Sequence, residues 1–225
     1  MFRRKFSKVR NKRPKNHLSL SRLKHHYSAL KGKKITSEKK RSKLIESLRS
    51  IGEIVVWGDQ NDPEICDYFL ENKILPFLLQ LMLQIGGNPA ELQFIQTFNI
   101  MYNNIKNEKF LYYLLSNVNS IIVHRYDFNN EDIMGHYITF LKTLSLKLSS
   151  ETIYLFYSER TNAFPLYTEA IKYYNHSDSM VRTSVRTIIQ KVYSVENPNM
   201  LQIVREITDG PYFSDLSSNS NSNML

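Results

Sequence analysis

Residues 129–150, "NNEDIMGHYITFLKTLSLKLSS", have the pattern of an α-helix that belongs inside a larger assembly of helices. Asn129 or Asn130 can cap its first turn, because a short polar side chain accepts hydrogen bonds from the free amides there. Apolar side chains then recur at three- and four-residue steps, which is one face of a helix. The residues on this face are Met134, Tyr137, Ile138, Leu141, Leu144 and Leu148. Further apolar residues on the flanks indicate that neighbours cover the helix on most sides.

The same order of a short helix, a second helix and a long helix is repeated along the chain. The short helices begin near residues 64, 108 and 151, and the long helices begin near residues 90, 131 and 178. Periods in the forties with two or three helices each are typical of armadillo and HEAT repeats. Each unit leaves an apolar face that only a neighbouring unit can cover. The sequence therefore predicts an all-α, armadillo/HEAT-like helical repeat solenoid.

Two further segments fit this scheme at the ends of the series. Residues 37–57 are interpreted as the long helix of a leading, partial unit. We expect this helix to close at Trp57, with Gly58 in the left-handed conformation that ends many helices. Residues 197–208, "NPNMLQIVREIT", are interpreted as the first helix of a further unit.

The composition fits a helical body with a sizeable core. Hydrophobic residues make up 42% of the chain, and 7 Gly and 7 Pro are too few for a loop-rich β-protein. The single cysteine, Cys66, excludes an internal disulfide framework, which fits a reducing compartment. We predict no membrane-spanning helix, because no run of about 18 apolar residues occurs. We also predict no secretory signal, because no apolar region follows the N-terminal charges.

Charge divides the chain into a basic arm and a mildly acidic body. Residues 1–49 contain 18 of the 30 Lys and Arg but only two of the 21 Asp and Glu, so the positive net charge of the chain comes from this region. The remaining residues carry 12 basic and 19 acidic groups. We predict a disordered basic arm over 1–16, a helical domain over 17–210 and a disordered Ser/Asn-rich tail over 211–225.

The basic arm is attracted to polyanions, and its sequence leaves the choice of polyanion open. A solvated tail is one interpretation, and contact with an anionic membrane, with Phe2 and Phe6 as apolar plugs, is another. Nucleic-acid contact, nuclear import and a mitochondrial transit signal remain alternatives. The residues that would form this anionic-surface arm are Arg3, Arg4, Lys5, Lys8, Arg10, Lys12, Arg13 and Lys15.

The sequence contains no recognisable catalytic or cofactor motif. No phosphate-binding glycine loop, no Cys/His cluster at metal-ligand spacing and no nucleophile elbow occurs. Cys66 lies in an amphipathic segment and is predicted to be a small core residue. We therefore expect no enzyme activity, no cofactor, no metal and no small-molecule substrate.

Polar residues on the long helices are the candidate partner-binding residues. The polar residues that recur opposite the apolar face of segment 90–106 are Gln96, Asn99, Asn103 and Lys106. In armadillo-like stacks such helices line the inner surface, where amide side chains can hold a partner's extended backbone. An ordinary solvated face is the alternative interpretation. On segment 178–194, Arg182 and Arg186 form either a basic notch for a carboxylate or a pairing with Asp178.

Several blocks of the chain resemble the FPL-domain family. They are "SIGEIVVWGDQND", which contains Trp57, Gly58 and Asp59, and "YYLLSN", "VNSIIVHRYDF", "YITFLKTLSLKL", "TNAFPLYTEAIKYYNH" and "SMVRTSVRTI". The triplet that gives the family its name is Phe164, Pro165 and Leu166 here. The resemblance extends over roughly residues 17–215, whereas family members are usually much longer.

The resemblance implies a non-enzymatic adaptor or scaffold in endosome–lysosome trafficking, autophagy and mitophagy. Family members are cytoplasmic and peripheral to endosomal, lysosomal or Golgi membranes. They are linked to membrane-tethering machinery and to ubiquitin-ligase complexes, so other proteins are the expected partners, with an anionic membrane surface as a further one. The alternatives are a helical-repeat nucleic-acid-binding protein that uses the basic arm, which the acidic body disfavours, and an enzyme of the ubiquitin pathway.

We expect the family triplet to have a structural role. The segment from residue 165 onward has apolar residues at helical spacing, and Pro165 suits a first turn, because its missing amide hydrogen is not needed there. Phe164 then lies at the cap and can fold back on that turn. The alternative is that the triplet is an exposed docking peptide for a partner.

Overall fold

A computed structural model of the protein describes residues 17–31, 37–84 and 88–209. The predicted basic arm and the Ser/Asn-rich tail lie outside the described residues. In the described part the α-helices are α1 (Leu20–Leu30), α2 (Glu38–Asn61), α3 (Pro63–Glu71), α4 (Ile74–Gln84), α5 (Asn88–Asn104), α6 (Glu108–Leu115), α7 (Val118–Ile122), α8 (Glu131–Ser145), α9 (Pro165–Ile171), α10 (Ser179–Tyr193) and α11 (Pro198–Asp209). A short 3-10 helix, Ile153–Leu155, lies between α8 and α9. The predicted all-α fold class is confirmed.

The four long helices α2, α5, α8 and α10 pack side by side in chain order. α2 contacts α5, α5 contacts α8, and α8 contacts α10. The shorter helices α1, α3 and α9 pack against members of this row, and the buried apolar side chains form one continuous cluster. This order is consistent with the predicted armadillo-like stacking of units.

Helix α8 is buried along its predicted face. Asn130 caps it, because its Oδ1 accepts hydrogen bonds from the amides of Asp132 at 2.8 Å and Ile133 at 3.2 Å. The buried residues of the predicted face are Met134, Tyr137, Ile138, Leu141 and Leu144. The helix nevertheless ends earlier than predicted, since the chain turns after Ser145 and Thr152 Oγ1 donates to the carbonyl of Lys147 at 2.6 Å.

The end of α2 differs from the prediction. The helix runs through Trp57 to Asn61, and Gly58 lies inside it without a left-handed backbone conformation, so that prediction is wrong. The glycine has a different purpose, because a Cβ atom at Gly58 would lie 2.5 Å from Cγ2 of Ile65 in α3. Gly58 therefore permits close packing of two helices, and the chain turns at Asp62, whose side chain caps α3.

The predicted first helix of the third unit, residues 151–159, is not an α-helix. The structure has only a short 3-10 helix there, followed by a reversal in which Ser158 and Ala163 exchange backbone hydrogen bonds of 2.9 and 3.1 Å. Asn162 takes a positive φ of 47° at this reversal. The reversal is fixed by polar contacts to α11, including Asn162 Nδ2 to Glu206 Oε2 at 2.5 Å.

The family triplet lies at the start of α9. The helix begins at Pro165, as expected, and Phe164 occupies the position before it with no exposed surface. The ring of Phe164 is stacked on Tyr167 of the first turn, with centroids 6.2 Å apart and an interplanar angle of 22°. Tyr157 contacts the same ring at a centroid distance of 6.3 Å. Phe164 thus joins α9 to the segment that precedes it.

Several tyrosine hydroxyls bind backbone carbonyls at helix ends. The hydrogen bonds are Tyr27 to Asn72 (2.9 Å), Tyr102 to Leu114 (2.6 Å), Tyr126 to Ile121 (3.2 Å) and Tyr137 to Ile122 (2.9 Å). Carbonyls at the end of a helix have no partner within the helix, so the hydroxyls of Tyr27, Tyr126 and Tyr137 satisfy groups that burial would otherwise leave unpaired. The Leu114 carbonyl also accepts from the amide of Asn117 at 3.1 Å. Burial in turn raises the pKa of Tyr102, Tyr126 and Tyr137.

Candidate partner-binding groove

A groove of about 450 Å³ lies between α2, α5 and α8. Its polar lining includes Arg49 and Glu53 of α2, Gln96, Asn99 and Asn103 of α5, and His136 of α8. The apolar faces of these helices point into the core, so the opposite face of α5 presents its amide side chains to the groove. Three of the four polar residues predicted on this helix are thereby brought together.

The amides of α5 are held in place by α8. Gln96 Nε2 lies 3.1 Å from His136 Nε2, so the amide donates and the ring nitrogen accepts. Asn99 Nδ2 donates to the backbone carbonyl of His136 at 2.9 Å. The Oδ1 atom of Asn99 is buried and has no hydrogen-bond partner among the described residues. Two neighbouring amides therefore converge on His136.

A second set of hydrogen bonds joins α2 to α5 at the same groove. Arg49 Nη2 donates to Gln93 Oε1 at 3.4 Å, and Gln93 Nε2 donates to Thr97 Oγ1 at 3.3 Å. Gln93 and Thr97 are buried, while Arg49 is exposed. Asn103 is exposed further along α5 and has no hydrogen-bond partner within the described structure. The groove thus combines fixed polar groups with one amide that remains available.

Lys106 lies apart from the groove. It follows the end of α5, and its backbone amide donates to Asp59 Oδ2 at 2.8 Å. The same carboxylate accepts from the amide of Asn107 at 3.2 Å, so Asp59 ties the end of α2 to the start of α6. The predicted helix extends to residue 106, whereas α5 ends at Asn104. Lys106 therefore does not continue the helical face that carries the amides.

Arg182 and Arg186 are bound by the segment between α9 and α10. Arg182 Nη1 donates to the carbonyls of His176 at 2.6 Å and Ser177 at 2.7 Å. Asp178 makes no salt bridge with Arg182, and its Oδ1 accepts from an α10 amide as the helix cap. The Arg186 guanidinium lies 5.8 Å from the ring centroid of Tyr174.

A second groove of about 360 Å³ lies between α8 and α10. Its lining includes the carboxylates of Glu131, Asp132 and Asp178 and the backbone at Gly135. Sequence reasoning missed this groove and the role of His136. The contact between Gln96 and His136 joins residues 40 positions apart, so no local spacing reveals it. The one local feature in the sequence that indicates this groove is Gly135, a glycine within the predicted helix.

The cysteine has the properties of a core residue. Cys66 is buried, and burial together with nearby Asp59 raises the pKa of its thiol to about 12. A thiol with this pKa stays protonated at neutral pH and is a weak nucleophile. Within the described ranges, no three His, Cys, Asp or Glu side chains are grouped to hold a metal ion. None of the described helices is both long and apolar enough to cross a bilayer.

Known proteins share this sequence over most of its length. The model of the FPL family, described as "Uncharacterised conserved protein", matches residues 48–193. The Protein CLEC16A homolog of Drosophila melanogaster is 56% identical over 208 residues, which cover 91% of this chain and 20% of that protein. Protein CLEC16A of Homo sapiens is 51% identical over 209 residues, with the same coverage of 91% and 20%. Protein TRANSPARENT TESTA 9 of Arabidopsis thaliana is 35% identical over 211 residues, which cover 92% and 25%.

The chain spans about a fifth of the animal relatives and a quarter of the plant relative. No solved structure gives a significant match. The family model nevertheless covers well over half of the chain, including the row of helices from α2 to α10 and the groove that they form. The chain therefore belongs to the FPL family.

Proposed function

We propose that this chain is a non-enzymatic scaffold that binds partner proteins in endosome–lysosome trafficking, autophagy and mitophagy. It acts at the cytoplasmic face of endosomal, lysosomal or Golgi membranes, where membrane-tethering or ubiquitin-ligase machinery supplies the partners. The observation that carries the proposal is the groove between α2, α5 and α8, whose amide side chains are held by hydrogen bonds. The resemblance of the sequence blocks to FPL proteins supports the cellular setting.

The chemistry of the groove favours binding over catalysis. His136 accepts a hydrogen bond from Gln96 through Nε2, and its carbonyl accepts one from Asn99. The nearby Thr139 hydroxyl donates to the carbonyl of Gly135 at 2.8 Å, within its own helix. These groups are engaged in holding the helices, whereas amides such as Asn103 can donate and accept at once. That dual capacity suits contact with another polypeptide.

The charges of the two grooves disfavour the alternative of nucleic-acid binding. Arg49 is balanced by Glu53 on the same helix in the first groove. The second groove contains Glu131, Asp132 and Asp178. A nucleic acid laid along this surface would bring its phosphates toward these carboxylates, which opposes binding. A neutral or basic segment of a protein encounters no such repulsion.

Proximity labelling in cells tests the proposal. The whole 225-residue chain, fused to a biotin ligase, should enrich endosomal, lysosomal or Golgi membrane proteins over the ligase alone. The variant Leu141→Ala, which removes a fully buried side chain from α8, is the control for labelling by an unfolded chain. A labelled set of nuclear RNA- or DNA-binding proteins that nuclease treatment abolishes would replace our proposal with the nucleic-acid alternative.

A further inference from the structure

The geometry points to a binding path across α2, α5, α8 and α10 for an extended peptide of a partner protein, with a Lys or Arg side chain at the α8–α10 end. This inference rests on the proposed scaffold function and specifies its partner chemistry. It is carried by the continuity of the two grooves, an exposed glycine on the path and, at one end, three carboxylates that form no salt bridge in the described structure.

The two grooves are parts of one depression. His136 and Thr139 of α8 line both the 450 Å³ groove toward α5 and the 360 Å³ groove toward α10. An occupant can therefore pass over α8 without leaving the surface. Its path lies across the helix axes, because α2, α5, α8 and α10 are packed side by side.

The length of the path fits a short extended segment. Packed helices lie about 8–10 Å apart, so the three spacings from α2 to α10 cover roughly 24–30 Å. An extended chain advances about 3.3 Å per residue, which gives an occupant of roughly seven to nine residues. A helix would cover only about half as many ångströms per residue, so an extended segment uses the path with fewer residues.

The first part of the path offers groups that match a peptide backbone. Asn103 is exposed and lacks a hydrogen-bond partner among the described residues, so its amide can both donate and accept. Gln96 and Asn99 lie about two turns and one turn before it on α5, respectively, and their side chains are held by His136. A peptide that crosses α5 can therefore pair one of its peptide groups with the Asn103 amide, a contact that does not read its side chains.

Gly135 marks a place where the occupant comes close to α8. It lies on the exposed face of the helix, where glycine is less favourable than alanine. A Cβ atom built on Gly135 would have no atom within 4 Å, so the fold does not require the glycine for packing. Glycine is suited to positions where another backbone approaches closely. Because Gly135 lines the second groove, the approaching backbone is that of the bound segment.

The α8–α10 end of the path selects a cation. Glu131, Asp132 and Asp178 all line the second groove, and none forms a salt bridge in the described structure. The nearby Arg182 is engaged with two backbone carbonyls. Met180, which is 76% exposed in the same groove, offers an apolar surface for the aliphatic part of a Lys or Arg side chain.

A displayed library of random nonapeptides, selected on the purified 225-residue chain, tests this inference. We expect the enriched peptides to carry Lys or Arg near one end. Binding of a selected peptide should weaken at least tenfold in Gly135→Leu, because a leucine fills the open space over α8. The helical circular dichroism and the melting temperature should be retained, since a Cβ atom at this exposed position has no atom of the fold within 4 Å. Ser120→Leu, which adds the same side chain at an exposed position of α7, is the matched control and should bind normally.

A second variant tests the charge. The double substitution Glu131→Gln and Asp132→Asn should weaken the same peptides severalfold and reduce the salt dependence of their binding. The inference is overturned if no basic peptide is enriched, if Gly135→Leu binds as well as the wild type, or if the charge variant binds unchanged. A dimer in sedimentation that Gly135→Leu dissolves would also overturn it, in favour of a second copy as occupant. Unchanged proximity labelling alongside a failed peptide selection would remove the peptide path and leave the scaffold function standing.

Discussion

Two leucines near the end of α8 have opposite surroundings. Leu141 is fully buried in the hydrophobic core between the helices, whereas Leu146, which follows the last residue of α8, is 58% exposed. We expect Leu141→Ala to lower the free energy of unfolding by about 2–5 kcal/mol, because it leaves a cavity in a packed core. The same substitution at Leu146 should change it by less than about 0.5 kcal/mol. Urea denaturation measures both, and equal midpoints would place α8 outside the core.

Substitution of Phe164 tests whether the family triplet has a structural role. Its ring is fully buried between Tyr157 and Tyr167, so Phe164→Ala should cost about 3–5 kcal/mol of stability. Partner binding should then fall only as the fold is lost. Tyr154→Ala, at a ring that is 61% exposed, is the control and should have a small effect. Lost binding with an unchanged melting curve would instead support a docking peptide.

Two glycines in different helices predict opposite effects of one substitution. Gly58→Ala should destabilise the protein by about 1–3 kcal/mol, because the added methyl group would press α2 against Ile65 of α3. Gly135→Ala should stabilise it by up to about 1 kcal/mol, since alanine favours the helix and meets no neighbour. Thermal denaturation of the two variants measures the signs. A shift in the same direction for both would contradict the packing assigned to the α2–α3 contact.

The packing of α1 on α2 predicts a dependence on pH. His26 Nδ1 lies 3.3 Å from Ser47 Oγ of α2, and Arg22 Nη2 lies 3.4 Å from His26 Nε2. Burial and then the Arg22 charge lower the pKa of His26 from its usual value of 6.5, and burial does the same for His124. The unfolded chain therefore binds protons more readily than the folded one. Stability should be complete above pH 6.5 and should decline as the pH falls below that value.

Melting temperatures measured between pH 8 and pH 5 check this expectation. His26→Gln keeps an amide that can bind Ser47 and removes one titrating ring, so its melting temperature should fall less with acid. His25→Gln, at the exposed neighbouring position, is the control. A stability that rises on acidification would contradict the assignment of these buried histidines.

The elements were predictable where local chemistry determines them. The cap at Asn130, the start of α9 at Pro165 and the buried face of α8 all follow from residues close together in sequence. The end of α2 could not be predicted in this way. A glycine often ends a helix, but Gly58 is needed instead for the close contact with α3. The missing helix at 151–159 has a similar cause, since contacts to the distant α11 fix a reversal there.

For the candidate site too, features within one helix could be predicted, and contacts between helices could not. Gln96, Asn99 and Asn103 line the same groove, as their spacing on one face of one helix predicts, and their role in binding a partner stays a prediction. Their partner His136 lies on another helix, and the second groove needs α8 and α10 together. Such pairings depend on which helices become neighbours, and spacing along the chain does not contain that information.

At the scale of the whole molecule, the asymmetric charge predicts a salt-sensitive attraction to anionic surfaces. The arm over residues 1–15 contains eight basic residues and no acidic one. Its deletion should weaken binding to phosphatidylserine-containing liposomes, and raising the salt concentration should do the same, because counterions screen the attraction. Liposome sedimentation measures both effects. Short duplex RNA or DNA that displaces the protein, and binds more tightly at equal salt, would show that nucleic acid is the preferred polyanion.

The 14 tyrosines of the chain differ in how accessible their hydroxyls are to a modifying enzyme. Those that bind helix-end carbonyls are among the least accessible. The hydroxyls of Tyr102 and Tyr137 lie in the interior and already donate to Leu114 and Ile122. A kinase cannot reach such a hydroxyl in the folded domain, and a phosphate attached there would break the hydrogen bond to the carbonyl and bury a charge. Phosphorylation detected at either residue would therefore show that the chain had unfolded, locally or globally, before it was modified. Phosphorylation at the exposed Tyr154 would be compatible with the folded domain.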